Sequence, residues 1–196
     1  MSKIRTEKNI APKTVILEKA AGLFKTKGFA ATSMRELASE LGIEAPSLYN
    51  HIGSKDELLQ EICFKVANSF ILHLTKVENL DQSIIRKVEL LIRFHIKMTL
   101  ENFDEVFVAN HEWRNLQEPY LKKNLTLRRN YEKRLVSLIQ NGIEKKEFSK
   151  INPQVAALTM LAALRSLEFW QRHKKNISEK TLEDTIVHQL LNGIVQ

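Results

Sequence analysis

An all-α fold is what this sequence predicts, on three observations. Glycine and proline are scarce, six and four in 196 residues. Most segments between them repeat apolar residues at i, i+3, i+4 and i+7, the period of a helix with one buried face. Two tetrads, Ser33-Met34-Arg35-Glu36 and Ser54-Lys55-Asp56-Glu57, have the spacing of a capping box, in which serine and glutamate side chains satisfy orphan N–H groups at a helix start. The apolar share of 43% and charged share of 27% are those of a folded globular chain.

The first helix is expected from residue 12 to about 27, with Pro12 in its first turn, Ile16, Ala20, Leu23 and Phe24 on one stripe, and Gly28 as its stop. The second starts at the cap Ser33, buries Met34, Leu37, Ala38 and Leu41, and ends at Gly42. A short third helix from 45 to about 52 tolerates Pro46 in its first turn and is closed by Gly53. A long fourth helix opens after Ser54 and runs through Leu58, Leu59, Ile62 and Val66 to about 75. Five more are read at 81 to about 100, 104–115, 118 to about 146, 153 to about 173 and 178 to about 194. Asn141-Gly142 interrupts the longest of these, and whether it kinks or ends the helix stays open. The expected domains are residues 1–55 and 56–196, joined rigidly by the fourth helix.

Composition narrows the function. The longest apolar runs, such as 155–164, fall well short of the ~20 residues that span a bilayer, and the first ten residues are polar, so neither a membrane segment nor a secretion signal is expected. With a single cysteine, Cys63, there is no disulfide framework, and a cytoplasmic location follows. No nucleophile and base stand at motif spacing, and no Gly-rich phosphate loop or metal-ligand pattern is present; no enzyme, cofactor or metal is expected. A net charge of +7 suits a polyanionic partner. Yet residues 1–55 hold nine Lys/Arg against five Asp/Glu, and residues 121–150 nine against three, so charge alone does not place a nucleic-acid site.

Pattern places it better. The second and third helices, joined across Leu41-Gly42-Ile43, have the form in which the later helix enters the major groove of DNA while the earlier crosses the backbone. Leu48 and Ile52 can pin the inner face of the third helix, leaving Glu44, Ser47, Asn50 and His51 outward. From Ile16 to Leu59 the chain resembles the DNA-binding domain of the TetR family, most specifically at Gly28-Phe29, Thr32-Ser33, Leu41-Gly42-Ile43, Leu48-Tyr49-Asn50-His51 and Ser54-Lys55. The resemblance implies that Thr32 or Ser33, Tyr49, His51 and Lys55 contact phosphates, and that Ala45, Pro46, Ser47 and Asn50 lie nearest the base edges. Glu44 and Ile52 depart from it, standing where the family often has a small capping residue and a phenylalanine. On the residues alone, Tyr49 packing on the first helix, Ser33 serving only as a cap and Lys55 lying in solvent are the alternatives. Lys3, Arg5 and Lys8 form either a tail or an arm toward DNA.

The rest of the chain is read as a helical ligand-binding and dimerisation domain. Small residues Ala156, Ala157, Ala162 and Ala163 among leucines, followed by Leu182, Ile186, Leu190 and Leu191, suit two helices per subunit of a four-helix dimer interface, or else the monomer's own core. A small-molecule pocket is expected among residues 81–142, lined by Phe94, Met98, Phe107, Trp113 and Tyr120, with His111 and Arg114 as polar anchors; Phe103, Leu125 and His95 are further candidates. The stretch from His111 to Leu116, with Tyr120, Arg128-Arg129, Tyr131-Glu132, Gly142-Ile143 and Phe148, is similar to TetR regulators that respond to fatty-acyl-CoA, although Lys146 stands where that pattern has glycine. By that similarity some of Lys122, Lys123, Arg128, Arg129, Lys133 and Arg134 meet CoA phosphates; as bare sequence they are equally a solvated helix face. The expected function is therefore a homodimeric repressor on double-stranded, palindromic operator DNA, released by a small, largely apolar effector such as an acyl-CoA. An activator, or a helical lipid-binding protein without specific DNA binding, is the alternative.

Overall fold

Pro12 has no N–H to leave unpaired, and its carbonyl accepts the N–H groups of Val15 and Ile16 to start α1, Lys13–Lys27. The helix stops at Gly28, whose φ of 87° is open to glycine and strained for other residues. The computed structural model describes residues 12–172 and 177–195; Lys3, Arg5 and Lys8 lie outside the described residues. Helix α2, Met34–Glu40, begins on a complete capping box, in which Ser33 Oγ accepts the Glu36 N–H and the Glu36 carboxylate accepts the Ser33 N–H at 2.8 Å. Gly42, at φ 66°, turns the chain into α3, Ala45–Tyr49. This third helix is shorter than its pattern suggests: Asn50 and His51 continue as a turn before the buried Ile52. Helix α4, Lys55–Glu78, is capped by Ser54 Oγ on the Glu57 N–H, but the Glu57 carboxylate takes the N–H of Gly53 rather than that of Ser54. The second box is thus shifted by one residue.

Five further helices follow: α5 (Ile84–Glu101), α6 (Phe103–His111), α7 (Tyr120–Glu144), α8 (Pro153–Arg165) and α9 (Glu179–Asn192), with 3-10 turns at Trp113–Asn115 and Ser166–Arg172. The helix expected over 153–173 is therefore α-helical only to Arg165. Helix α7 passes straight through Asn141-Gly142, and the glycine serves packing: a Cβ there would lie 2.3 Å from Phe148 Cδ2. The left-handed stop falls instead at Lys146, φ 60°, where Glu147 and Phe148 donate back to the Gly142 carbonyl. Phe148 then makes an isolated β-bridge with Val195. Among the described residues no helix is long and apolar enough to cross a membrane.

Two hydrophobic cores result. The first joins Phe24 of α1, Leu37 of α2, Leu48 of α3 and Leu58, Leu59 and Ile62 of α4. It also takes in Val108 of α6 and Leu116 beyond it, so this core is closed partly by the second half of the chain. The second joins the far end of α4 (Leu74, Val77) to α5, α7 and α8 through Val88, Ile92, Leu135 and Ile139 among others. Arg93 of α5 holds α9 against this body by ion pairs to Glu183 and Asp184, and Arg134 ties α7 to Glu78 of α4. Helix α6 belongs to both regions: Val108 enters the first core, Asp104 pairs with Lys25 of α1, and Glu105 pairs with Lys65 of α4 at 2.8 Å.

Candidate functional site

The outer end of the first core presents α3 and the turn after it. Leu48 and Ile52, both 0% exposed, fix this segment from beneath, while Tyr49 (52% exposed), Asn50 and His51 stand outward beside the exposed Pro46. Ser47 and Ala45 are half-buried on the same short helix, and Glu44 precedes it, exposed and without a capping bond. Apart from Glu44 at its start, the outward set is polar, aromatic and small. Such a surface can hydrogen-bond phosphate oxygens and base edges.

Three expected phosphate ligands are already engaged. Thr32 is buried at 3% exposure and donates its hydroxyl to the Gly28 carbonyl at 2.9 Å, which pins the bend after α1. The hydroxyl of Ser33 is shared between the N–H and the carboxylate of Glu36. Lys55 places its ammonium against the carbonyls of Phe29 (2.7 Å), Ala30 (3.3 Å) and Thr32 (2.9 Å), and 4.4 Å from the centre of the Phe29 ring. An ammonium has three N–H donors, and all three are used. The Thr32 and Lys55 side chains thus both shape the loop from Gly28 to Ser33 that carries the start of α2.

The second region holds a cavity of about 280 Å³ between α4, α5, α6, α7 and α8. Its apolar wall includes Val66, Phe70, Ile71, Val106, Leu161 and Leu164. His95 and Leu125, both proposed from sequence, line it. Phe94, Met98, Phe107, His111, Trp113, Arg114 and Tyr120 do not. Aromatic stacking accounts for where most of these side chains lie. Phe94 stacks on His73 at 3.9 Å, Phe107 on His111 at 4.3 Å, and Tyr120 meets Phe64 edge-on at 6.3 Å. Met98 packs on the small cluster around Val66, Val106 and Ala109. His111 bonds Glu168, and Trp113 packs on the first core with the guanidinium of Arg114 over its ring.

Polar groups enter the cavity chiefly from α7, where Asn124, Arg128 and Tyr131 share one face at i, i+4 and i+7. The Tyr131 hydroxyl and His95 Nε2 bond each other at 2.8 Å, and burial lowers the imidazole to about 3 while raising the phenol. Cys63 faces the same space as a neutral thiol, pushed up to about 12 by burial. The basic residues of α7 do not act as one patch: Arg128 turns inward, Arg134 goes to Glu78, and Lys122, Lys123, Arg129 and Lys133 are exposed. Among the described residues no group of three His, Cys, Asp or Glu is placed to hold a metal.

Comparison with known proteins agrees with this arrangement at both ends. Residues 16–62 match the family described as "Bacterial regulatory proteins, tetR family", and residues 81–194 match "Tetracyclin repressor-like, C-terminal domain". The transcriptional repressor KstR2 of Mycobacterium tuberculosis is 43% identical over 47 residues, a stretch that covers 24% of this chain and 24% of that protein. The chain therefore spans about a quarter of the length of the curated relatives it matches first. Two solved structures share the whole fold. PfmR of Thermus thermophilus is 25% identical with a TM-score of 0.80 over 90% of this chain and 97% of its own. AibR, solved with isovaleryl coenzyme A and operator DNA, is 21% identical with a TM-score of 0.80 over 91% and 97%. The chain belongs to the TetR family of bacterial transcriptional regulators.

Proposed function

We propose that this regulator is a cytoplasmic, homodimeric repressor that binds a palindromic operator and is released by a small, largely apolar effector held in the cavity of the second region. The observation that carries the reading is the outward Tyr49-Asn50-His51 face seated on the fully buried Leu48 and Ile52. Ser47, Pro46 and Ala45 on the same helix lie where base edges would come. A palindrome requires two copies about 34–36 Å apart, one turn of DNA. For that second copy α8 offers an apolar strip at i, i+3 and i+7, with Val155 60% and Leu158 47% exposed and Ala162 beyond them.

Helix α6 links the two regions. Its Val106, Ala109 and Asn110 wall the cavity, whereas Val108 and Asp104 are fixed in the first core and to α1. A molecule that fits the cavity only after α6 has shifted stabilises a state in which α1 and the helices seated on it are displaced. Release follows from that difference in affinity and from nothing else. The AibR structure, which holds isovaleryl coenzyme A together with operator DNA, supports a compound with a short acyl chain as the class of effector, its head group being set by the polar residues of this cavity. Tyr49→Ala tests the DNA half. Its helicity and oligomeric state should match the parent, while affinity for a selected operator falls roughly tenfold, about 1.4 kcal/mol, by fluorescence anisotropy. Unchanged affinity at physiological salt would refute the role.

A further inference from the structure

The cavity is not electrically neutral, and the imbalance constrains what fills it. Arg128 lies half-buried in its wall, and its guanidinium makes one hydrogen bond among the described residues, from Nη1 to the Ala109 carbonyl at 2.9 Å. That uses one of five N–H donors. Its flat face lies 5.3 Å from the Trp113 ring, and no carboxylate of the described residues pairs with it. The charged groups felt by Arg128 make matters worse, since Arg165 and Arg114 are both positive and burial itself disfavours the cation. A buried arginine is ordinarily paired, because an uncompensated charge is far from water. Arg129 and Arg165 add positive charge to the lining, against the single carboxylate of Glu132, and His95 is neutral.

One turn of α7 before Arg128 sits a second unsatisfied group. Asn124 is 2% exposed, lines the cavity, and its Oδ1 has no hydrogen-bond partner. Buried amide oxygens are rarely left so. A hydroxyl on the bound molecule satisfies an amide in either orientation, since it both donates and accepts. Residues four apart on a helix hold their side chains about 5–6 Å from each other, so an anion on Arg128 and a hydroxyl on Asn124 belong to neighbouring parts of one ligand. Around them the wall is apolar, and the volume of about 280 Å³ sits at the small end of ligand pockets.

We infer that the cavity takes an apolar carboxylic acid bearing a hydroxyl within a few bonds of its carboxylate, the acid group against Arg128, the hydroxyl against Asn124 and the hydrocarbon among Val66, Phe70, Val106 and Leu161. This rests on the reading of the cavity as the effector site, and it deepens that reading by naming the head group. A coenzyme A thioester would present a neutral carbonyl in place of the carboxylate and would leave the charge of Arg128 uncompensated.

The test is calorimetric titration of the full chain with 3-hydroxy acids of roughly six to twelve carbons, a span suited to a pocket of this size. The same acids without the hydroxyl, their methyl esters and their coenzyme A thioesters are titrated alongside. At least one hydroxy acid should bind, its methyl ester roughly tenfold or more weakly, and the acid lacking the hydroxyl more weakly than the parent. Arg128→Met should erase the preference for acid over ester and raise the melting temperature of the empty protein. Asn124→Leu should erase the preference for the hydroxyl alone. An ester that binds as tightly as its acid, thioesters that bind while every acid stays silent at about 1 mM, or an Arg128→Met protein that melts lower while keeping the acid preference would each overturn the inference. Operator release is measured separately by anisotropy: an acid that binds without releasing DNA leaves the head-group assignment standing and refutes relief of repression. Release by neutral esters alone does the reverse.

Discussion

The two regions of this regulator treat their buried polar groups in opposite ways. At the DNA end, Thr32 and Lys55 spend their hydrogen bonds on the carbonyls of Gly28, Phe29, Ala30 and Thr32, Ser33 spends its own on Glu36, and the five-residue α3 rests on the buried Leu48 and Ile52 with its polar side outward. In the second region, Asn124 Oδ1 and most of the Arg128 guanidinium face a cavity with no partner. The contrast separates a surface whose polar groups are satisfied internally from an interior that the proposed effector would complete. Pre-organisation at the first lowers the entropic cost of meeting DNA, while incompleteness at the second makes a bound molecule stabilising.

The largest effects are expected where packing is tightest. Leu48→Ala empties the space beneath the recognition helix and should remove about 2–5 kcal/mol of stability in urea denaturation, together with operator binding. A loss of binding with stability untouched would show that Leu48 acts at the surface. Next is Gly142→Ala, whose new methyl group would press on Phe148 and Ile84; a loss of about 1–3 kcal/mol is expected, which shows that the second region is tightly packed away from its cavity. Lys55→Met, which removes three carbonyl contacts, should lower stability by about 1–2 kcal/mol while leaving the salt dependence of operator binding nearly unchanged. A salt slope reduced by about one would restore Lys55 to the phosphate backbone.

Smaller effects sharpen the picture of the cavity wall. His95 is held below its unfolded value of 6.5, near 3, by burial, so the unfolded chain takes up a proton that the folded chain refuses as pH falls. Stability is thus fully retained above pH 6.5 and declines below it, by on the order of 1 kcal/mol per pH unit, until about pH 3. His95→Asn should flatten that decline in melting curves taken between these limits; an identical pH profile would place the imidazole in water. The smallest expected change is a gain: Lys146→Gly relieves a left-handed backbone at φ 60° and should add roughly 0.5–1 kcal/mol.

Much of this architecture was legible in the sequence. Caps and stops at Pro12, Gly28, Ser33, Gly42 and Ser54 are local chemistry, and each falls at a boundary of α1 to α4. Lys146 could also be read, since it stands where a glycine was expected and adopts the conformation that glycine favours. The short end of α3 was not legible, because Asn50 and His51 are neutral toward a helix or a turn. Nor was the cavity. Aromatic residues marked its lining in the sequence, but Phe94, Phe107 and Tyr120 find one another or neighbouring rings across helices, a matter of tertiary pairing that spacing along one helix does not reveal. The signal that was available lay in the polar residues: Asn124, Arg128 and Tyr131 recur at i, i+4 and i+7 on one face of α7. Arg128 hid inside a run of basic residues whose other members are exposed or paired elsewhere.

The central claim is that the Tyr49-Asn50-His51 face reads DNA, twice per assembly, and it can be met directly by selection of bound duplexes from a random pool with the purified full chain. Recovery of a palindrome whose half-sites are centred one helical turn apart is expected, lost when Tyr49 is replaced by alanine. Recovery of no common sequence at low salt, or of a site bound equally well by the Tyr49→Ala protein, would contradict it.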